Sequence, residues 1–255
     1  QMCIRDRHLT VGSDVNPLHT DNFEEVSFGP ILYGAKKLGM HIHTRYEVSN
    51  NAGQDICDIV NNEGFDFLLV GSGISMSDSP DDIAATRYRT SFYNRYFKRF
   101  KAPESWFYPG ALLKDKTKMF IARSNCDVGV FINRNFVKAT NTLVVISSEE
   151  DLFLLDYTRT LLKATHGSVG IVAKMSTTTP GHDQILKELW DFVSSTPQTQ
   201  LLPDKDLTPG LFNSYNFMLI GYNTWNDVSE HRKEALQKMP STLILNKNKR
   251  SSSDN

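Results

Sequence analysis

Two oily runs end in glycine where chemistry could begin. Phe65-Asp66-Phe67-Leu68-Leu69-Val70 stops at Gly71-Ser72-Gly73, and Phe217-Met218-Leu219-Ile220 stops at Gly221. Backbone N–H groups in such a turn could cradle a phosphate, which makes Gly71, Ser72, Gly73 and Gly221 the ligand-binding candidates. A G-x-G without a third glycine is equally a tight turn leaving a buried strand, and that plainer account is favoured. The spacing is not G-x-S-x-G, so no nucleophile elbow is present. His41 and His43 share one face of a strand and could hold a metal or sense pH, yet no third ligand stands near them, so solvent-facing histidines suffice. The acids Asp81-Asp82 and Glu149-Glu150-Asp151 fall at helix starts, where they complement the dipole without acid–base catalysis. No Ser/His/Asp or Cys/His set assembles from local signals, so no catalytic and no metal-ligating residue is named and an α/β enzyme ranks last. Cys3, Cys57 and Cys126 lack C-x-x-C spacing, which argues against zinc and against a disulfide framework and fits a reducing compartment.

The most unusual composition lies in Arg87–Tyr108, where cations interleave with aromatics. At helical spacing Tyr88, Phe92, Tyr96 and Arg89, Tyr93, Phe97, Phe100 form two faces. Arg89, Tyr93, Arg95, Tyr96, Lys98 and Arg99 are therefore the candidates for docking a partner or a membrane domain. Three uses compete: a helix covering the protein's own sheet, a surface for a membrane domain or anionic headgroups, and an RNA platform. The first is favoured because aromatic stripes are usually core, and RNA is disfavoured because the formal net charge of the whole chain is −1.

The 255 residues, 40% hydrophobic and 22% charged, have the composition of a globular protein with one large core or two ordinary ones. No apolar run reaches the ~18 residues a membrane helix needs. Gln1–Arg7 fits no element and is set aside as a non-native segment. From there the pattern predicts strand His8–Ser13, helix Phe23–Leu38 stopping at Gly39, strand His41–Val48, helix Asn51–Asn62 stopping at Gly64, and the Phe65 strand. Two helices, Ile83–Lys101 and Gly110–Ser124, then form an insertion spanning about 80–125 before strand Asp127–Asn133. After a linker at 135–141 the same grammar returns: strand Thr142–Ser147, helix Glu149–Thr165, strand Ser168–Met175, helix Asp183–Val193 and a weak strand Gln198–Leu202 between prolines. Strand Phe217–Gly221, helix Asp227–Met239 and strand Thr242–Asn246 complete it, and 248–255 reads as a disordered tail. Alternating strands and helices imply right-handed βαβ units and an α/β, Rossmann-type parallel-sheet fold. The two modules span 8–134 and 142–247, and the first lacks an opening strand and helix, so an N-terminally truncated first module is expected.

The words DFLLVGSG with NCDVGVFINR, and FMLIGYNTW with STLILNK, resemble universal-stress-protein modules. Two tandem copies, the first with a long helical insertion, resemble the cytosolic C-terminal region of bacterial monovalent cation:proton antiporters. That resemblance implies a non-catalytic regulatory portion of a Na⁺ or K⁺/proton antiporter on the cytoplasmic face of the inner (plasma) membrane. Its implied partners are the upstream membrane transport domain of the same polypeptide and, through sheet edges or the insertion, a second copy; nucleic acid is not implied. Nucleotide-binding members of the stress family carry an acidic residue after the first strand and G-x-x-G-(x9)-G-[ST] after the fourth. Neither Gly71-Ser72-Gly73 nor Gly221-Tyr222-Asn223-Thr224 completes that loop, so no cofactor is expected. The alternative is a free-standing tandem stress-type protein that binds a nucleotide.

Overall fold

The computed structural model describes residues 4–10, 28–29, 32–48, 52–71, 118–175, 180–203, 207–231 and 238–248. The chain divides into two compact units, Gln1–Asn62 and Glu63–Asn255. The division falls inside the stretch that the sequence pattern assigns to the first module.

In the first unit, β1 (Ile4–Thr10) and β2 (Ile42–Val48) pair in parallel from Ile4↔Ile42 to Thr10↔Val48. β1 starts at Ile4, so residues 4–7 of the segment set aside above lie within a strand. Helical residues 32–37 end where expected. Gly39 adopts φ +65°, and the N–H groups of Met40 and Gly39 bond the carbonyls of Ala35 (2.9 Å) and Lys36 (3.2 Å). This is a Schellman cap, which a residue with a Cβ would strain. α1 (Ala52–Glu63) also ends at a glycine of positive φ, Gly64 at +66°.

The second unit holds a seven-stranded, mostly parallel sheet. Its strands are β3 (Phe67–Gly71), β4 (Asp127–Ile132), β5 (Asn141–Ile146), β6 (Ser168–Ala173), β7 (Thr199–Pro203), β8 (Phe217–Gly221) and β9 (Ser241–Asn246), in the order β3-β4-β9-β8-β5-β6-β7. All neighbours are parallel except β4 and β9. Its described helices include α2 (Leu154–Thr165), α3 (His182–Ser195), the single turn α4 (Pro209–Phe212) and α5 (Tyr222–His231), and residues 118–123 are helical as well. On one face Val144, Ile146, Val169, Ile171, Phe217 and Leu219 join Leu154, Leu155 and Leu162 of α2 and Ile185, Leu189 and Phe192 of α3 in one core. The alternating residues Leu143, Val145, Val172, Met218 and Ile220 are equally buried. Both faces are thus covered, which is why these strands read as unbroken apolar runs.

The β3–β4 and β8–β9 pairs share one register. Phe67 of β3 pairs Asp127 of β4 and Gly71 pairs Phe131; likewise Phe217 of β8 pairs Ser241 of β9 and Gly221 pairs Leu245. The two strand pairs meet antiparallel through β4 and β9, with Val130 opposite Ile244. By the parallel registers those two residues are counterparts, so the four central strands are related by a local two-fold axis between them. Like a symmetric dimer contact, the same edge of each half faces itself.

Two helices start elsewhere than the sequence pattern predicts. Glu149–Asp151 is a 3₁₀ turn and α2 begins at Leu154, because Asp151 turns inward instead of continuing a helix. α5 begins at Tyr222, directly after β8 and five residues before the expected Asp227. The one-turn α4, capped by the Thr208 hydroxyl accepting from the Leu211 N–H at 3.3 Å, is additional.

Candidate functional site

From β5 the sheet steps one way through β6 and β7, and the other way through β8 and β9. The order therefore reverses between β5 and β8, and the crevice at their carboxyl ends is where an open α/β sheet takes a ligand. Ser147 leaves β5 there, and Gly221 ends β8. Between them lies Asp151, 2% exposed. Its Oδ2 accepts from the Ser147 N–H (2.9 Å), the Ser147 hydroxyl (3.2 Å) and the Thr224 hydroxyl (2.6 Å). The Ser147 and Thr224 hydroxyls also touch each other. A Cβ built on Gly221 would collide with Asp151 Oδ1, so the carboxylate lies against bare backbone. Its bond from the Thr224 hydroxyl sets the carboxylate beside the first turn of α5, where a negative charge is favourable.

This arrangement leaves little room for phosphate. The carboxylate occupies the crevice with a charge of the wrong sign, and no loop separates Gly221 from the helix. The adjoining cleft, about 850 Å³, is lined by six carboxylates (Glu149, Glu150, Asp151, Asp156, Glu188, Asp191) against the cations Arg159 and Lys247. Arg159 is itself engaged by Asp156 at 2.9 Å and lies 4.9 Å over the Phe192 ring. Such a cleft repels a polyphosphate.

A second polar cluster joins the two halves of the sheet. Asp127, the first residue of β4, accepts from the Tyr157 hydroxyl of α2 (3.0 Å) and from the Asn248 N–H after β9 (2.7 Å). The Asn248 amide in turn donates to the Ser124 carbonyl at 3.0 Å. The neighbouring Cys126 thiol is 4% exposed, and burial first, then the Asp127 charge, push its pKa from 9.0 up to about 11. At neutral pH it is a buried thiol, not a nucleophile. Burial and Asp127 also raise the Tyr157 hydroxyl well above its ordinary value. Phe67 packs on Tyr157 at 5.9 Å between ring centres, and Phe136 of the linker packs on Phe131 and Phe217 at 5.5 and 5.2 Å.

Of the ligand candidates, Gly71 ends β3 on the surface and Gly221 ends β8 buried against Asp151. Gly71 and Gly221 close equivalent strands in the two halves. Ser72, Gly73 and the whole of 87–108, with Arg89, Tyr93, Arg95, Tyr96, Lys98 and Arg99, lie outside the described residues. His41 and His43 are exposed, and no group of three or more potential metal ligands occurs among the described residues. Asp151 is the residue that sequence reasoning passed over as one of three dipole-complementing acids. Glu149 and Glu150 stay exposed while it turns in, and nothing in a run of three acids distinguishes them.

No protein-family model matches the sequence, and no curated protein matches it. The fold, however, has solved counterparts. A universal stress protein from Archaeoglobus fulgidus DSM 4304 superposes with a TM-score of 0.54 at 11% identity, covering 97% of this chain and 86% of that one. A functionally unknown protein from Pseudomonas aeruginosa PAO1 gives 0.50 at 11% identity, covering 95% and 82%. The cytoplasmic domain of a prokaryotic cation chloride cotransporter gives 0.50 at 10% identity, covering 96% and 85%. At such identities the likeness establishes the fold alone: the chain has a mostly parallel, Rossmann-type α/β fold similar to that of universal stress proteins.

Proposed function

We propose that this chain is a non-catalytic regulatory portion of a monovalent cation:proton antiporter, held at the cytoplasmic face of the membrane and coupling the binding of a ligand or partner to transport. The observation that carries the non-catalytic reading is Asp151. It closes the switch-point crevice where a stress-type module would take a nucleotide, held there by donors from Ser147 and Thr224. A module of this fold without that use is suited to transmitting force or occupancy between domains. The likeness to a cotransporter's cytoplasmic domain supports attachment to a transporter. In this reading the residue types of the cation–aromatic run around Arg89–Arg99 are those that would meet the transport domain, and a second copy is the other partner.

The decisive test is on the parent gene. Deleting the region that encodes this chain should leave cation/proton exchange measurable in everted vesicles with a pH-gradient dye, while shifting its pH or cation dependence at least several-fold. Unchanged transport parameters, or a parent reading frame without about ten or more apolar helices, would overturn the proposal. Calorimetric titration with ATP, AMP and cyclic dinucleotides should be silent; saturable heat with any of them would favour a free-standing nucleotide-binding stress-type protein.

A further inference from the structure

The two corners of the seam between β4 and β9 mirror one another in position but not in chemistry. By the parallel registers Ser241 is the counterpart of Asp127, and Arg134 stands to Asp127 as Asn248 stands to Ser241. At one corner the Arg134 N–H donates to the Ser241 hydroxyl at 2.8 Å, and at the other the Asn248 N–H donates to Asp127 Oδ1 at 2.7 Å. A neutral bond holds the first corner. The second has a carboxylate, which forms the stronger bonds, and gathers further members. Asp127 Oδ2 accepts from the Tyr157 hydroxyl of α2 at 3.0 Å, and the Asn248 side-chain amide donates to the Ser124 carbonyl at 3.0 Å. The Asp127 N–H donates to the Asp66 carbonyl, just ahead of β3, at 3.2 Å.

These extra members lead to two different places. Asn248 grips the end of the helical stretch 118–123, where the Ser124 N–H closes the last turn on the Phe120 carbonyl at 2.9 Å and Phe120 is buried. That stretch is where the chain rejoins the sheet after residues 72–117. Tyr157 leads to the acidic cleft. Its ring meets Phe153 edge to face with 6.0 Å between centres, and Phe153, Asp156 and Asn248 all line the cleft. Leu152 and Leu155 continue the same turn, their N–H groups bonding the carbonyls of Glu149 at 3.1 Å and Leu152 at 3.0 Å. A shift of Tyr157 therefore moves a wall of the cleft together with the turn that carries Asp151.

We propose that Asp127 is a relay: it couples the stretch 118–124 to the start of α2, so that a partner acting on the chain ahead of Lys118 alters the acidic cleft, and a ligand in the cleft acts back on that partner. The existence of such a partner rests on the regulatory reading above; the coupling itself is a property of this chain. Coupling of this kind is reciprocal, and that makes it measurable from both ends.

The experiment is amide hydrogen exchange on the whole chain carrying conservative variants that each cut one arm. Tyr157→Phe removes only a hydroxyl on the α2 side and should speed exchange of the Ser124 amide by about threefold or more, as well as that of Asp156. Asn248→Ala removes the amide on the other side and should speed the Leu155 and Asp156 amides by about threefold or more, as well as that of Ser124. In the double variant the rate increase should be less than the product of the two single factors, because both cuts open one relay. Amides of α3 and β6 should stay unchanged. Loosening confined to the side of each cut would overturn the proposal, as would equal loosening in α3, which would mean a general loss of stability. Either result leaves the regulatory reading standing, since that reading is judged by transport.

Discussion

At the residue scale the switch-point crevice turns on one carboxylate. Asp151 is buried and receives three donors, so its loss leaves the Ser147 N–H and one of the two hydroxyls, which still bond each other, short of an acceptor. Asp151→Ala should destabilise the chain by about 2–4 kcal/mol in urea unfolding. Gly221→Ala places a methyl on Asp151 Oδ1 and should cost about 1–3 kcal/mol. Because the two substitutions share one contact, the double variant should be more stable than the sum of the single losses predicts. Strict additivity would mean that the carboxylate does not lie against Gly221.

The element scale is set by the seam between β4 and β9, where a buried thiol and a partly buried carboxylate sit side by side. Tyr157 of α2 and Asn248 beyond β9 both donate to Asp127 at the head of β4, tying three elements to one group. Asp127→Ala should therefore lower stability by about 1–3 kcal/mol and Tyr157→Phe by about 1 kcal/mol. The seam also responds to alkali. The folded Cys126 thiol has its pKa raised from 9.0 to about 11. Its protonated form is thus favoured by folding, and the unfolded chain holds fewer protons between those values. The stability it contributes is complete below pH 9 and is lost as pH rises towards 11. Urea midpoints measured from pH 8 to 11 should fall, and Cys126→Ala should flatten the fall; an equal slope in that variant would remove the thiol from the account.

At the scale of the whole molecule the second unit is two half-sheets joined edge to edge about a local two-fold axis at Val130 and Ile244. The joining strands are the last of each half, so the contact that a dimer of single modules would make is made within one chain. A substitution at that centre acts on both halves at once. Ile244→Lys buries an unpaired charge and should abolish cooperative unfolding of the sheet, read as loss of the single urea transition by both circular dichroism and tryptophan fluorescence. Survival of one cooperative transition would mean that the half-sheets hold together without this contact.

The sequence by itself determined the α/β class, most strands to within a residue or two, and the glycine stops at Gly39 and Gly64. Short apolar runs, helical spacing and residues that tolerate positive φ are local signals, and local physics sets them. It also showed the kinship of Phe67–Gly71 with Phe217–Gly221, because both are short oily runs ending in glycine. Only the tertiary structure decided that β4 and β9 meet antiparallel, since an apolar edge does not state its partner's direction. The same holds for Asp151. Its neighbours Glu149 and Glu150 have the same charge and the same local surroundings, and only Ser147, Gly221 and Thr224, brought together by the order of the strands, select which acid turns inward. The helix that the sequence places at Glu149 starts at Leu154 for that reason, and the crevice at Gly221 holds the protein's own carboxylate.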